Sequence, residues 1–187
     1  HEFDWILEEI SQRCENIEYI LFDYPHGLKK NIEERWRKSA PRTLSKSKFF
    51  PRIEYNDFLG LLENLDLMLD PIYFGAGTVF YQCMACGVPV ISMPTRYRRA
   101  RATVSGYKQM GISKPPIAQT KEEYVLICKK LVESYDERER LKKEILEKSC
   151  HLFEKNKFNT EFELFIRKSV DKSRLGEFLP TGWEPKT

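Results

Sequence analysis

The sequence predicts an α/β protein built on a Rossmann-like, doubly wound parallel sheet, and three observations carry that expectation. Short apolar runs alternate with stretches of helical periodicity along the chain. The runs are apolar at successive positions rather than at every second one, as in strands buried on both faces. One run also ends in a cluster of small residues that opens a helix, at the sheet edge where such folds bind ligands.

The elements follow in order. Phe3, Ile6, Leu7, Ile10 and Cys14 share one helical stripe, and residues 17–22 read as a buried strand stopped by Asp23-Tyr24-Pro25-His26-Gly27. A short charged helix is expected over 31–38 and a Pro/Ser/Lys-rich surface loop over 39–48. A strand near Phe49-Phe50 is cut short by Pro51. Phe58, Leu61, Leu62 and Leu65 have the spacing of an amphipathic helix, and residues 67–72 form the next strand. A helix over 78–86 ends at Gly87, and a buried strand over 89–93 is closed by Pro94. The basic segment 96–101 leads into a helix reaching Met110, followed by a short strand over 116–118. Thr120 and Glu123 form a capping box for a helix that turns Tyr124, Ile127, Cys128 and Leu131 inward. Helices over 137–148 and 160–169 come last. The expected organisation is a ligand-binding domain over 1–173, with about five parallel strands, and an irregular tail over 174–187.

Composition narrows the class. The chain has 187 residues, 41% hydrophobic and 32% charged, a balance suited to one soluble domain with a buried core. The net charge of +3 does not point to nucleic acid, and no apolar run approaches the roughly 20 residues that cross a bilayer. The N-terminus has no signal-peptide pattern and reads as the interior of a longer protein, with His1 ascribed to a tag. Five cysteines, an odd count without a secretory signal, suggest reduced thiols and a cytoplasmic location. Cys83 and Cys86 form a C-x-x-C pair without the flanking residues of a redox site or the second pair of a zinc site. They fit buried hydrophobes better than a reactive pair.

The chemistry concentrates at Gly75-Ala76-Gly77-Thr78. Small residues let an anion approach the backbone, and the amides and dipole of the helix start favour negative charge. Thr78 is positioned to cap the helix and to donate to a phosphate. The same composition also fits a tight strand-to-helix turn with no ligand. It is neither a dinucleotide fingerprint, for which the third glycine is missing, nor a P-loop. Four arginines, Arg96, Arg98, Arg99 and Arg101, follow a strand on the same expected edge. They suit a diphosphate, or else form a solvated basic loop. His26 also follows a strand, as a turn residue or as a group at the nucleotide edge together with Pro51. His151 reads as structural.

Several segments taken in sequence carry a resemblance: Phe49-Phe50-Pro51-Arg52, Asp57-Phe58-Leu59, residues 65–71, the turn at 75–78, residues 87–94 and Arg99-Ala100-Arg101. With Tyr107 to Ile112 and Ile117 through Val125, they resemble the C-terminal catalytic lobe of O-linked N-acetylglucosamine transferases and SPINDLY-like proteins. The likeness runs from the first residues to about Phe165. It implies the C-terminal half of a GT-B glycosyltransferase with a UDP-sugar donor, UDP-N-acetylglucosamine, transferring to Ser or Thr hydroxyls of proteins with inversion. The N-terminal lobe and any tetratricopeptide repeats are expected outside this chain, so the chain alone is expected to be inactive. By this resemblance Gly75, Ala76, Gly77, Thr78, Arg99 and Arg101 hold the diphosphate and Gln82 meets the ribose. No metal or other cofactor is implied. Where the family carries a second hydroxyl after Thr78 this chain has Val79, and where it carries an acid this chain has Gln82. The family's His and Lys near the start of the helix before Leu69-Asp70 are not reproduced, so no catalytic residue is assigned. A non-catalytic nucleotide-binding module of this fold, and another GT-B enzyme such as an epimerase or a glycan-building transferase, stay open.

Overall fold

A computed structural model describes residues 2–153 and 155–185. His1, the residue ascribed to a tag, and the last two residues of the expected tail lie outside the described residues. The fold alternates helices and parallel strands: α1 (Glu2–Arg13), β1 (Tyr19–Phe22), α2 (Leu28–Ser39), α3 (Pro41–Ser45), β2 (Ser47–Phe50), α4 (Tyr55–Glu63), β3 (Met68–Leu69), α5 (Thr78–Cys86), β4 (Val90–Ile91), α6 (Ala102–Met110), α7 (Lys121–Glu133) and α8 (Tyr135–Lys148). The chain divides into two compact units, the first ending at Ser149 and the second beginning at Cys150.

Every strand pair is parallel. β1 pairs with β2, Tyr19 opposite Ser47 and Phe22 opposite Phe50, and β3 pairs with β4, Met68 opposite Val90. A parallel bridge joins Ser92 to Ile117, where the fifth strand was expected. The direction and the mixed α/β content agree with the expectation. The hydrogen-bonded sheet is less continuous than expected, two pairs and a bridge rather than about five full strands. Proline shortens the ladders around β3 and β4, since it brings no N–H to them. Pro71 follows β3 closely, Pro89 and Pro94 bracket β4, and Pro115-Pro116 precede Ile117.

The segment 39–48, expected to be a surface loop, is helix α3 followed by the start of β2. Its cap comes from far away in sequence. The Glu8 carboxylate on α1, only 8% exposed, accepts from the Arg42 and Thr43 amides at 3.0 Å each, satisfying the first turn behind Pro41. Lys46 answers at the other end of α1, where its ammonium donates to the Cys14 and Glu15 carbonyls. Buried Asp4 accepts from Arg35, Ser39 and the Trp36 indole, which fixes α2 against α1.

Leu7, Trp36 and Ala40 form one core cluster, and Leu21 of β1 and Leu69 of β3 both pack on it. Residues of α1, α2 and α3 therefore share one core with residues of both strand pairs. A further buried group joins α5, β4 and α6. Phe80 and Tyr107 meet edge to face at 5.5 Å, and the Tyr107 hydroxyl accepts from the Val90 amide at 2.8 Å. Gly106 permits that approach, because a Cβ there would stand 2.1 Å from the Phe80 ring.

The second unit holds α9 (Cys150–Phe153) and α10 (Lys155–Arg174), longer than the helix expected over 160–169. Phe158 and Phe162 stack along α10, and Phe165 meets Trp183 from the irregular segment that follows.

Candidate functional site

Asp70 organises the turn that follows β3. It follows β3, is 1% exposed, and spends its carboxylate on three donors: the Ala76 amide at 2.6 Å, the Ser92 hydroxyl at 2.8 Å and the Thr103 hydroxyl at 2.8 Å. Its backbone is equally engaged. The Asp70 amide donates to the Ile91 carbonyl, and the Tyr124 hydroxyl lies within hydrogen-bond distance of both the Asp70 and Ile91 carbonyls. One carboxylate thus ties the turn to the end of β4 and to α6. A buried charge is tolerable when its lone pairs are satisfied in this way. Asp70 orders the turn. Ser92 and Thr103 were not singled out by the sequence reading; their only signal was a hydroxyl residue in an otherwise apolar setting.

The turn is held from a second side by Arg99. Its carbonyl accepts from the Gly75 amide at 2.9 Å, and its Nε donates to the Tyr73 carbonyl at 2.9 Å. Gly75 suits this packing, since a Cβ would crowd the Asp70 carboxylate at 3.1 Å and the Arg99 carbonyl at 3.3 Å. The chain then enters α5 through Gly77, which occupies the N-cap with φ +52. This corrects the expectation that Thr78 caps the helix. Thr78 is the first helical residue, no side chain caps α5, and glycine is at the N-cap because its positive φ strains any residue with a Cβ.

The consequence is an open helix start. The Val79 and Phe80 amides turn back to the Ala76 and Gly77 carbonyls, whereas the Gly77 and Thr78 amides have no acceptor among the described residues. Both residues are exposed. Two unspent N–H groups at the positive end of α5 are donors of the kind that an anion's oxygens accept from.

The arginine segment forms a short 3-10 turn, Arg98–Ala100, beside this helix start. Arg101 donates to the Thr95 carbonyl at 3.1 Å, and the Arg96 and Arg99 guanidinium groups each lie 5.0 Å from the Tyr97 ring centre. Among the described residues none of Arg96, Arg98, Arg99 and Arg101 pairs with a carboxylate. Elsewhere in the first unit many basic side chains do, as at Arg13–Glu9, Arg35–Asp4 and Arg138–Asp66. The loop is therefore an uncompensated positive patch clasped to the turn through Arg99.

Gln82 lies one helical turn beyond Thr78 on the same face of α5, half-buried, with its amide unspent among the described residues. His26 and Pro51 both line a cleft of about 380 Å³ at the carboxyl ends of β1 and β2, with Tyr24, Lys29 and Arg52. Arg52 stacks on Tyr24 at 5.0 Å. Cys83 is fully buried and 3.2 Å from the Met68 sulfur, and burial pushes its thiol up to about 12, so it is packed as a hydrophobe. Among the described residues no group of three His, Cys, Asp or Glu side chains converges as a metal site, and no helix is long and apolar enough to cross a membrane.

The architecture is a parallel α/β domain with a small-residue turn beyond the carboxyl end of β3, the class to which GT-B glycosyltransferase domains belong. Solved structures give this class two particular likenesses. The chain is similar to a mutant of the Thermobaculum terrenum O-GlcNAc transferase, at TM-score 0.68 and 18% identity, over 81% of this chain and 32% of that one. It is also similar to WaaG, a glycosyltransferase involved in lipopolysaccharide biosynthesis, at TM-score 0.51 and 16% identity, over 77% of this chain and 46% of that one. At such identity the likeness shows the fold, and the chain spans less than half the length of either protein. No protein-family model and no curated protein matches the chain.

Proposed function

We propose that this chain is the donor-binding domain of a GT-B glycosyltransferase that takes a UDP-sugar, UDP-N-acetylglucosamine, and serves transfer to Ser or Thr hydroxyls of proteins. The observation that carries the reading is the open start of α5, two unspent amides beside four arginines with no carboxylate partner among the described residues. A diphosphate satisfies both at once, since its oxygens accept from backbone N–H groups and pair with guanidinium forks. In this reading Gly75, Ala76 and Gly77 allow the close approach, Thr78 donates its hydroxyl, and Arg99 and Arg101 neutralise charge. Gln82 faces the ribose, where a neutral amide replaces a charged acceptor and bonds the hydroxyls more weakly. The cleft of His26 and Pro51 receives the nucleobase edge, with the Tyr24–Arg52 stack as its wall.

The chemistry assigned to this domain is leaving-group stabilisation. As the bond from the sugar C1 to the diphosphate oxygen breaks, the electron pair stays with UDP. The developing charge then lies at preorganised amides and arginines, which need little reorganisation to meet it. The acceptor and the group that takes its proton belong to the lobe outside this chain, so the chain by itself binds donor without turning it over.

Calorimetric titration with UDP tests the reading. Wild-type chain should release heat with a saturable isotherm, and Thr78→Val and Arg101→Ala should each weaken binding by about 1–3 kcal/mol. Absence of binding by the wild type, or unchanged affinity in both variants, overturns it. Comparing UDP-N-acetylglucosamine with UDP-glucose then decides the sugar.

A further inference from the structure

Three aromatic side chains stand exposed around the mouth of the turn. Phe74, directly before Gly75, is 72% exposed, with Tyr73 at 45% and Tyr97 at 40%. No other large apolar side chain described in the first unit is as exposed as Phe74. Single exposed apolar residues are ordinary on a protein surface. This one differs in its setting. Its backbone is clamped between the Arg99 bond to the Tyr73 carbonyl and the bond from the Gly75 amide to the Arg99 carbonyl. The ring makes no aromatic contact among the described residues, although Tyr97 nearby is covered by two guanidinium groups. A backbone held on both sides therefore presents an exposed apolar ring three residues before the open Gly77 amide.

We infer that Phe74 is the platform on which the sugar ring of the donor rests, so that this residue reads the sugar and not the nucleotide. The inference rests on the donor-binding reading above and adds the part of the ligand that Phe74 meets. In a nucleoside diphosphate sugar the sugar C1 is bonded to an oxygen of the second phosphate. The ring must then lie beside whatever holds the diphosphate, and Phe74 is the apolar surface there. A pyranose offers a face of C–H bonds, which an aromatic ring removes from water at little conformational cost. UDP lacks that ring and gains nothing from Phe74.

The test is calorimetric titration of wild-type chain, Phe74→Ala and Phe74→Tyr with UDP and with UDP-N-acetylglucosamine, circular dichroism confirming that each variant is folded. Phe74→Ala should weaken UDP-N-acetylglucosamine about tenfold, equal to about 1.4 kcal/mol, and leave UDP unchanged. Phe74→Tyr should restore the wild-type value. Equal weakening of both ligands would place the nucleobase on Phe74 and refute the inference. So would unchanged affinity for both while the wild type binds UDP normally. A wild type that binds neither ligand removes the donor-binding reading itself, an outcome distinct from the other two.

Discussion

Replacing Asp70 by alanine tests whether one carboxylate holds the turn, the end of β4 and α6 together. The substitution leaves three donors without their acceptor, two of them on hydroxyls that are 2% and 1% exposed and one on the Ala76 amide. A buried donor left unsatisfied costs about 1–3 kcal/mol, and the hydroxyls recover part of that by rotating toward carbonyls. A net loss of about 3–5 kcal/mol is expected, a large share of the roughly 5–15 kcal/mol that stabilises a domain. Asp70→Asn keeps one oxygen for the Ala76 amide and faces the hydroxyls with an amide that they can accept from, so it should cost only about 1–2 kcal/mol. Urea denaturation followed by circular dichroism measures both, with unchanged slope as evidence that the same transition is compared. Thr103→Ala combined with Asp70→Ala should lose less than the sum of the single changes, because the two residues share a bond. If Asp70→Ala costs less than about 1 kcal/mol, or the pair adds fully, the carboxylate is not the knot described here.

Other consequences are simpler to state. Gly106→Ala forces a Cβ to within 2.1 Å of the buried Phe80 ring and should destabilise by about 1–3 kcal/mol or more in the same urea assay. Gly60→Ala, on α4 with open space around the new atom, should instead stabilise by about 0.5–1 kcal/mol. Burial holds the Cys83 and Cys128 thiols up to about 12, so at pH 8 only about one in ten thousand is thiolate. Iodoacetamide on native protein, read by peptide mass mapping, should modify exposed Cys150 first and reach these two only after unfolding. The same groups set the sign of the alkaline response. The folded state keeps protons that the unfolded chain releases above its ordinary thiol value near 8.5, so stability is complete below about that pH and falls as pH rises toward 12. Urea melts at pH 7.5 and pH 10 that show no loss would contradict this.

Local rules made part of this molecule legible. The helix over 78–86 was read to the residue because a strand, a small-residue turn and Gly87 frame it, and the Thr120 cap of α7 appears as its hydroxyl accepting from the Glu123 amide. What escaped depends on distant partners. α3 exists in a segment of loop-like composition because Glu8, more than thirty residues earlier, caps it. The continuous sheet was overestimated because apolar runs mark burial, whereas the ladder also needs amides that Pro71, Pro89 and Pro94 interrupt. At the turn, composition left an anion site and a ligand-free bend both open, and the resemblance favoured the first. That Gly77 and not Thr78 caps α5 depends on a backbone angle, which composition does not encode.

The way the turn is fastened separates two classes of position. Its fastening residues, Asp70, Ser92, Thr103 and the backbone of Arg99, are also parts of the framework. The groups at its rim, exposed Phe74, Thr78 and Arg98 and half-buried Gln82, make no hydrogen bond or ion pair through their side chains among the described residues. Substitutions at the rim therefore leave the scaffold intact, and under the donor-binding proposal single steps there would exchange one donor for another. Under the same proposal those four positions are the natural ones to randomise when selecting for a new sugar, with Asp70 held constant.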